Sequence, residues 1–382
     1  VGGEMTLRMT TDAPISHIIS ERLFRLEEPV SMFLGPDEGF DADLTATTER
    51  MLKETTAYWR GWVRTLSVPL EWQQAVIRAA ITLKLCAHEE TGAIVAALTT
   101  SIPEHEGSQR NWDYRYCWLR DAYYVVQALN RLGAADMLEN YLGYLRNIVD
   151  RSKGGHVQPL YGVGLEPSLT ERFAEHLAGY RGMGPVRVGN QAHEHLQHDV
   201  YGQIILSTVQ AFFDERLFRP ATVEDFRNLE PVGERAFELH DQPDASLWEF
   251  RGRENVHTYS AVMCWAACDR LGNAAAKLGL LERAAFWNDR AATVRATIEE
   301  KAWNRDLGRF AATFGGDELD ASLLQLVDVR FVSPDDPRMA ATIAAVEKGL
   351  RRGPYMLRYA IPDDFGEPKT AFNICTFWLI EA

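Results

Sequence analysis

The segment between positions 110 and 121 brings charged and aromatic side chains together at high density. Within twelve residues it holds three Arg, two Asp, two Trp and two Tyr. Aromatic faces cover the apolar C–H surface of a sugar ring, while arginine and aspartate groups bind neighbouring hydroxyls. The segment therefore predicts sugar binding. The structural alternative is that Asp121 caps a helix while Trp112 and Trp118 pack in the core.

A second chemical group is the tryptophan–glutamate pair Trp248-Glu249, which precedes a predicted helix that opens near His257. A carboxyl held beside an indole ring is shielded from water, and the loss of water favours the protonated form of a carboxylic acid. A proton donor of this kind could serve a glycosidic oxygen. The alternative is a surface Glu249 that forms an ordinary ion pair with Arg251 or Arg253.

The overall composition excludes several classes of partner. Asp and Glu total 54 and Lys and Arg total 40, which gives a formal net charge of −14. No basic run exceeds two residues, so we expect no nucleic-acid partner. No apolar stretch reaches the roughly 18 residues of a membrane span, and no signal-peptide pattern opens the chain, so we expect no membrane partner. The five cysteines predict buried free thiols and a cytoplasmic location.

Hydrophobic periodicity divides the chain into three parts. Residues 1–44 show short alternating segments at 5–10, 24–26 and 30–34, which predict strands that are too few to bury a core alone. Residues 45–68 carry a helical pattern and form a predicted linker helix. Residues 69–382 are predicted to be mainly α-helical, with ten core helices joined alternately by short and long connections. Hairpins in this arrangement are typical of a toroid, and its long loops are expected to be functional.

The bounds of these ten predicted helices follow from the 3.6-residue period of their apolar positions. They are 69–88, 119–133, 134–149, 193–216, 222–239, 257–272, 280–304, 319–327, 337–350 and 369–382.

Two further motifs resemble binding sites but fit none. His193, His195, His198 and Asp199 have a spacing that matches no standard zinc pattern, so the polar start of an amphipathic helix is favoured. The glycine-rich run 179–184 is followed by Pro and Val rather than the Lys-Ser/Thr of a phosphate loop, so it is interpreted as a flexible loop near the site. We expect neither a metal nor a cofactor.

Taken together, the motifs resemble glycoside hydrolase family 15, which contains glucoamylases, glucodextranases and bacterial trehalases. The resemblance extends from about residue 12 to the end of the chain. It rests on ordered motifs at 91–97, 110–121, 248–249, 319–322 and 375–379.

The resemblance implies an (α/α)6 barrel preceded by an N-terminal β-sandwich, of which residues 1–44 would be a remnant. It also implies an inverting, exo-acting α-glucosidase of glucoamylase type whose partner is a glucose-containing oligosaccharide or disaccharide. A trehalase of the same family and a non-catalytic sugar-binding relative are the alternatives. A phosphorylase on the same kind of barrel would need a phosphate site, and no motif predicts one.

The roles of individual residues also follow from the resemblance. Glu249 would be the general acid, and Arg120 with Asp121 would hold the terminal glucose. The remaining substrate-binding residues would line the same site or belong to the loop that carries Glu249. They are Tyr114, Trp118, Trp248, Arg251 and Arg358. Tyr161 is a weaker match to the outer wall.

One part of the family pattern is not matched. Inversion needs a second carboxyl as base, and the family places it beyond the Phe-Trp-Leu helix, where this chain has already reached Ala382. Ten helices also fall short of the twelve in a closed barrel. We therefore expect an incomplete barrel that binds sugar but turns over slowly. Glu367 and Glu381 are poor candidates for the base.

Overall fold

The computed structural model describes residues 6–39 and 43–382. The chain divides into two compact units, residues 1–73 and residues 74–382. The assignment of residues 1–44 to the remnant of a β domain stays a prediction.

Within the first unit, the described residues 6–39 and 43–73 form one two-stranded sheet and two complete helices. Strand β1 (Leu7–Thr11) pairs antiparallel with β2 (Met32–Pro36), and helices α1 (Ile15–Ile19) and α2 (Leu44–Val63) follow the two strands. The predicted strand at 24–26 is wrong, because these residues pair with no strand in the described part of the chain. The start of the first predicted strand, Met5, lies outside the described residues. Helix α2 begins where the Asp43 side chain accepts a hydrogen bond from the Ala46 amide at 2.7 Å.

Residues 73–382, which the structure describes without a gap, form ten α-helices, and this number confirms the sequence prediction. The predicted helix at 193–216 is shorter than expected, because residues 191–194 form a 3-10 turn and the α-helix begins only at Asp199. The helices are α3 (Gln73–Leu85), α4 (Leu119–Arg131), α5 (Ala135–Ser152), α6 (Asp199–Val209), α7 (Val223–Leu239), α8 (Thr258–Lys277), α9 (Leu281–Lys301), α10 (Gln325–Asp328), α11 (Pro337–Leu350) and α12 (Asn373–Glu381).

Four antiparallel pairs of two-residue strands fasten the long loops of this unit. Their lengths are too short to form a sheet that could carry the fold. The pairs are β3 (Cys117–Trp118) with β4 (Leu160–Tyr161), β5 (Arg172–Phe173) with β6 (Arg187–Val188), β7 (Trp303–Asn304) with β8 (Arg309–Phe310), and β9 (Arg351–Arg352) with β10 (Tyr355–Met356).

The helices form an inner and an outer layer. Helix α8 buries fifteen of its twenty residues and α6 buries nine of eleven, so both lie inside. Helix α9 buries only a stripe of five residues spaced three or four apart, as expected for an amphipathic outer helix. All five cysteines are free, and all except the half-buried Cys86 are buried.

The direction of the inner helices decides where a site can form. Short turns follow α4 and α8, at residues 132–134 and 278–280. Long segments precede α4, α6, α8 and α12, at 86–118, 153–198, 240–257 and 351–372, and these four are called the inner helices. Because helices alternate in direction along the chain, the inner helices run parallel to one another. The long loops therefore gather at the N-terminal ends of the inner helices.

The close approach of α6 to α8 depends on Gly202. A Cβ atom at this position would lie 2.4 Å from the backbone oxygen of Met263. We expect Gly202→Ala to lower the free energy of unfolding by about 1–3 kcal/mol, because two buried helices must move apart. Gly143→Ala in α5 is the matched control, since a Cβ there meets nothing within 4 Å. Urea denaturation of both variants measures the difference, and equal stability of Gly202→Ala and the unmodified protein would contradict the prediction.

Candidate active site

A cavity of about 720 Å³ opens among the loops at the N-terminal ends of the inner helices. Its size lies within the range of about 300–1,000 Å³ that is typical of small-molecule sites. All eight residues of the predicted site line this one cavity, although their individual roles stay predictions. They are Tyr114, Trp118, Arg120, Asp121, Trp248, Glu249, Arg251 and Arg358.

Glu249 sits in a tight turn that aims its carboxyl group into the cavity. Its φ angle of +64° and that of Ser246 (+65°) lie in the left-handed region, which non-glycine residues rarely adopt. Glu249 Oε1 accepts hydrogen bonds from the indole Nε1 of Trp118 at 2.6 Å, from Arg120 Nη2 at 3.4 Å and from Gln197 Nε2 at 3.5 Å. Among the described residues, no donor is bonded to Oε2. This second oxygen is therefore free to face a ligand.

The sequence predicts that the indole of the adjacent Trp248 contacts Glu249, but in the structure Trp118 makes this contact. Trp248 turns away and donates its Nε1 hydrogen to Asp320 Oδ2 at 2.7 Å, whereas Trp118 supplies the indole at the acid. The left-handed turn separates the two adjacent side chains. The surface alternative is also wrong, because Glu249 pairs with Arg120 and its side chain is only 24% exposed.

Arg120 connects the buried Asp199 with Glu249. Its Nη1 donates to Gln197 Oε1 at 2.9 Å and to Asp199 Oδ2 at 3.2 Å, and its Nε lies 4.0 Å from Asp121 Oδ2. Burial alone would lower the pKa of Arg120, but the charges of Asp199, Asp121 and Glu249 outweigh it and raise this pKa. Arg120 is therefore a permanent positive charge. Burial raises the pKa of Asp199 and of Asp121 above the usual range of a carboxyl, and Arg120 offsets this rise only in part.

The structural alternative for the 110–121 segment is only partly correct. Asp121 does not cap α4, since the N-cap is Trp118 without a side-chain hydrogen bond. Trp112 lies against two guanidinium groups, those of Arg251 (Cζ 4.8 Å from the ring centre) and Arg187 (5.0 Å). Its ring is therefore engaged within the protein rather than packed in the apolar core.

The two predicted substrate arginines are already held by carboxylates. Arg251 Nη2 contacts Glu171 Oε2 at 2.9 Å, and Arg358 Nη2 contacts Glu104 Oε2 at 2.8 Å. Sequence reasoning missed both carboxylates, because they lie 80 and 254 positions from their arginines and no local pattern marks them.

Some other candidates are not part of the cavity lining. Tyr161, Glu367 and Glu381 do not line it. The histidine group is dispersed: His195 lines the cavity, whereas His193 Nδ1 lies at the Asn190 carbonyl (2.9 Å) and His198 Nε2 lies at the Pro243 carbonyl (3.1 Å). Across residues 6–39 and 43–382, no group of three His, Cys, Asp or Glu could hold a metal ion. No helix in those ranges is long and apolar enough to cross a membrane.

Two buried aspartates, Asp244 and Asp320, form hydrogen bonds with the loop that carries Glu249. Asp244 accepts hydrogen bonds from the Ser260 hydroxyl (2.7 Å) and from the amides of His198 (2.8 Å) and Ser246 (3.1 Å). Burial raises the pKa of Asp244 to about 7, and it raises the pKa of Asp320, the partner of Trp248, to about 6.

These raised pKa values predict a pH dependence of stability. Between pH 4 and pH 7 the folded state keeps a proton on Asp244 that the unfolded state releases, so stability falls as pH rises, by an amount on the order of 4 kcal/mol. Asp244→Asn should remove this fall. Burial lowers the pKa of His198 and of His257 to about 4, which acts in the opposite direction, so the two proteins must be compared at each pH.

Urea denaturation at pH 4, 5, 6 and 7 measures this difference. The exposed Asp306→Asn is the control and should follow the profile of the unmodified protein. Parallel profiles for Asp244→Asn and the unmodified protein would refute the prediction.

The helices form two layers, and the cavity at one end of the inner layer gathers a carboxyl group, arginines and aromatic rings, which are groups that can bind a carbohydrate. The family model described as "Glycosyl hydrolases family 15" matches residues 72–382, and the chain belongs to this family. The predicted family is thereby confirmed.

Relatives and solved structures agree with this membership. The chain is 36% identical over 339 residues to a trehalase of Mycobacterium tuberculosis, covering 86% of this chain and 49% of that protein. It is 34% identical to a trehalase of Thermoplasma volcanium, covering 86% and 52%. The chain thus spans about half the length of these relatives.

Solved structures show the same fold at low sequence identity. A bacterial glucoamylase complexed with acarbose has a TM-score of 0.65 at 17% identity, covering 89% of this chain and 51% of that one. A structure described as a wild-type glycosidase has a TM-score of 0.62 at 19% identity, covering 80% and 76%. These neighbours confirm the predicted (α/α)6 class.

Proposed function

We propose that this protein hydrolyses trehalose, with Glu249 as the general acid. The observation that carries the proposal is the Glu249 carboxyl, which is held through Oε1 by Trp118 and Arg120 and is open to the cavity through Oε2. The choice of sugar rests on the relatives, since trehalases share 28–36% identity with the chain. The glucoamylase type, which the sequence favoured, is supported by solved structures of glucoamylases that share the fold at 12–17% identity.

The proposed reaction begins at Glu249 Oε2, which gives its proton to the oxygen that joins the two glucose rings. The bond between this oxygen and C1 of the first ring breaks, and the second glucose leaves. Arg120 and Asp121 hold the hydroxyls of the first ring. Water adds to C1 from the opposite face, and its proton passes to a carboxylate base, as inversion requires.

Hydrogen-bond donors of the protein would stabilise Glu249 in this reaction. Once Oε2 has given up its proton, the group is a carboxylate, and hydrogen bonds to Oε1 from Trp118, Arg120 and Gln197 stabilise it. The same three donors restrict the direction of the side chain, which keeps Oε2 available to the substrate.

Substrate comparison tests the proposal. We expect kcat/KM for trehalose to exceed that for maltose and maltotriose by at least about tenfold, because binding groups matched to one linkage discriminate against another. The ratio between sugars is the appropriate measure, because it does not depend on the absolute rate. A higher value for maltotriose would instead support the glucoamylase type, and binding without any glucose release would support a non-catalytic relative.

The anomers of the product test inversion separately. Trehalose joins two α-anomeric carbons, so an inverting enzyme releases one β-glucose from the attacked ring and one α-glucose from the leaving ring. Proton NMR within the first minutes should show equal amounts of the two anomers. α-Glucose alone would show that configuration is retained.

A further inference from the structure

Two bidentate ion pairs connect the loop that contains residues 104–110 with the loop that contains residues 358–363. Arg110 pairs with Asp363 at 2.6 and 2.8 Å, and Arg358 pairs with Glu104 at 2.8 and 3.3 Å. The first loop carries the arginine of one pair and the carboxylate of the other. Each loop therefore contributes one carboxylate and one guanidinium.

The two pairs differ in their exposure. The side chains of Arg110 and Asp363 are only 9% and 4% exposed, and Asp363 also accepts the Tyr359 hydroxyl at 2.5 Å. The side chains of Arg358 and Glu104 are 17% and 18% exposed. All four residues line the cavity, so the two pairs differ in how far their side chains are accessible to a ligand. Arg110–Asp363 connects the same two loops independently of the more exposed pair.

The more open pair has hydrogen-bonding capacity left over. Arg358 uses Nη1 and Nη2 for Glu104, while its buried Nε has no partner among the described residues. Each Glu104 oxygen accepts one hydrogen bond from Arg358 and can accept another. Donors and acceptors that lie side by side match neighbouring hydroxyls on one sugar ring.

The pair also lies close to the acid. Tyr114, Glu104 and Glu249 line the same cavity, and burial, followed by the negative charges of the two glutamates, raises the pKa of the Tyr114 hydroxyl. The Tyr114 ring lies 6.0 Å from that of Trp118, which donates to Glu249. The cavity therefore offers two hydroxyl-binding groups near one acid, Arg120 with Asp121 and Arg358 with Glu104.

We propose that Glu104, acting together with Arg358, binds the hydroxyls of the second sugar ring, the one that leaves. This inference rests on the proposed function, because it assigns the first ring to Arg120 and Asp121. Glu104 is then a specificity-determining residue that distinguishes a disaccharide from a single glucose. Nothing in its local sequence marks it for this role.

Binding measurements in a non-hydrolysing background test this role. Isothermal titration calorimetry is performed on Glu249→Gln and on the double variant Glu249→Gln/Glu104→Gln, with trehalose and with glucose. We expect Glu104→Gln to weaken trehalose binding roughly tenfold or more, as the loss of a hydrogen bond to a charged group does, while glucose affinity in the first subsite stays within about twofold. Glu106→Gln is the matched control, because Glu106 is exposed on the same loop and should change neither affinity.

The outcomes separate the inference from the proposed function. Equal weakening of both sugars would show a general effect on the loop and overturn the inference, as would unchanged trehalose affinity. Thermal unfolding of the double variant checks that the loops stay fastened by Arg110 and Asp363. A Glu249→Gln protein that binds glucose but not trehalose would overturn the proposed function itself, and the role of Glu104 with it.

Discussion

Glu249→Gln should lower kcat for trehalose by about 10²–10⁴-fold, the usual contribution of a general acid, while the dissociation constant for trehalose changes little. Glutamine keeps the size of the side chain and can still accept the Trp118 and Arg120 hydrogen bonds through its carbonyl oxygen. It has no acidic proton to give to the leaving oxygen. The loss therefore falls on the chemical step and leaves binding intact.

Steady-state kinetics and calorimetry together measure this expectation. Glu254→Gln, an exposed residue five positions further along the chain, is the control and should keep the full rate. If Glu249→Gln retained a rate within about threefold of the unmodified protein, Glu249 could not be the acid. A matching loss of trehalose affinity would point instead to a collapse of the turn around it.

Arg120→Met should lower the free energy of unfolding by about 3–5 kcal/mol at neutral pH. Methionine fills most of the volume of the arginine stem but leaves the buried Asp199 without a countercharge. Asp199 lies in the first turn of α6, where the helix dipole gives only part of the missing compensation. The protonated form of Asp199 is tolerated more easily, so the destabilisation should shrink as pH falls toward 4.

A double variant identifies the cause of this destabilisation. Asp199→Asn in the Arg120→Met background removes the unpaired charge and should recover at least about half of the lost stability. Arg131→Met, at the exposed end of the same helix, is the control and should change stability by less than about 0.5 kcal/mol. No recovery in the double variant would mean that Arg120 acts through packing rather than through charge.

The surroundings of Glu249 were predicted only in part from the sequence. The sequence identified Trp248-Glu249 as a chemical motif and the 110–121 segment as its complement, and both line one cavity. It could not identify which indole touches the acid. The contact with Trp118 spans 131 positions, and the left-handed backbone at Glu249 cannot be inferred from a residue type that rarely adopts it.

The prediction of the substrate shows a different limit, because the residues proposed for the first ring, Arg120 and Asp121, would suit a glucoamylase and a trehalase alike. The residues proposed for the second ring, Glu104 and Arg358, lie in loops without a periodic pattern. Glu104 and Glu171 have no feature in their immediate sequence that sets them apart from other surface acids. Their partners, Arg358 and Arg251, are distant along the chain.

By itself, the sequence determined the helical class, the ten helices and the two motifs that line the cavity, Trp248-Glu249 and the 110–121 segment. These properties depend on short-range spacing, because a helix repeats every 3.6 residues and a motif is contiguous. Only the tertiary structure decided which side chains are paired. Trp118 contacts Glu249 and Asp320 contacts Trp248. Glu171 pairs with Arg251, and Glu104 pairs with Arg358. These pairings arise where parallel inner helices bring their preceding loops to one end of the barrel, and that convergence is a property of the packed helices.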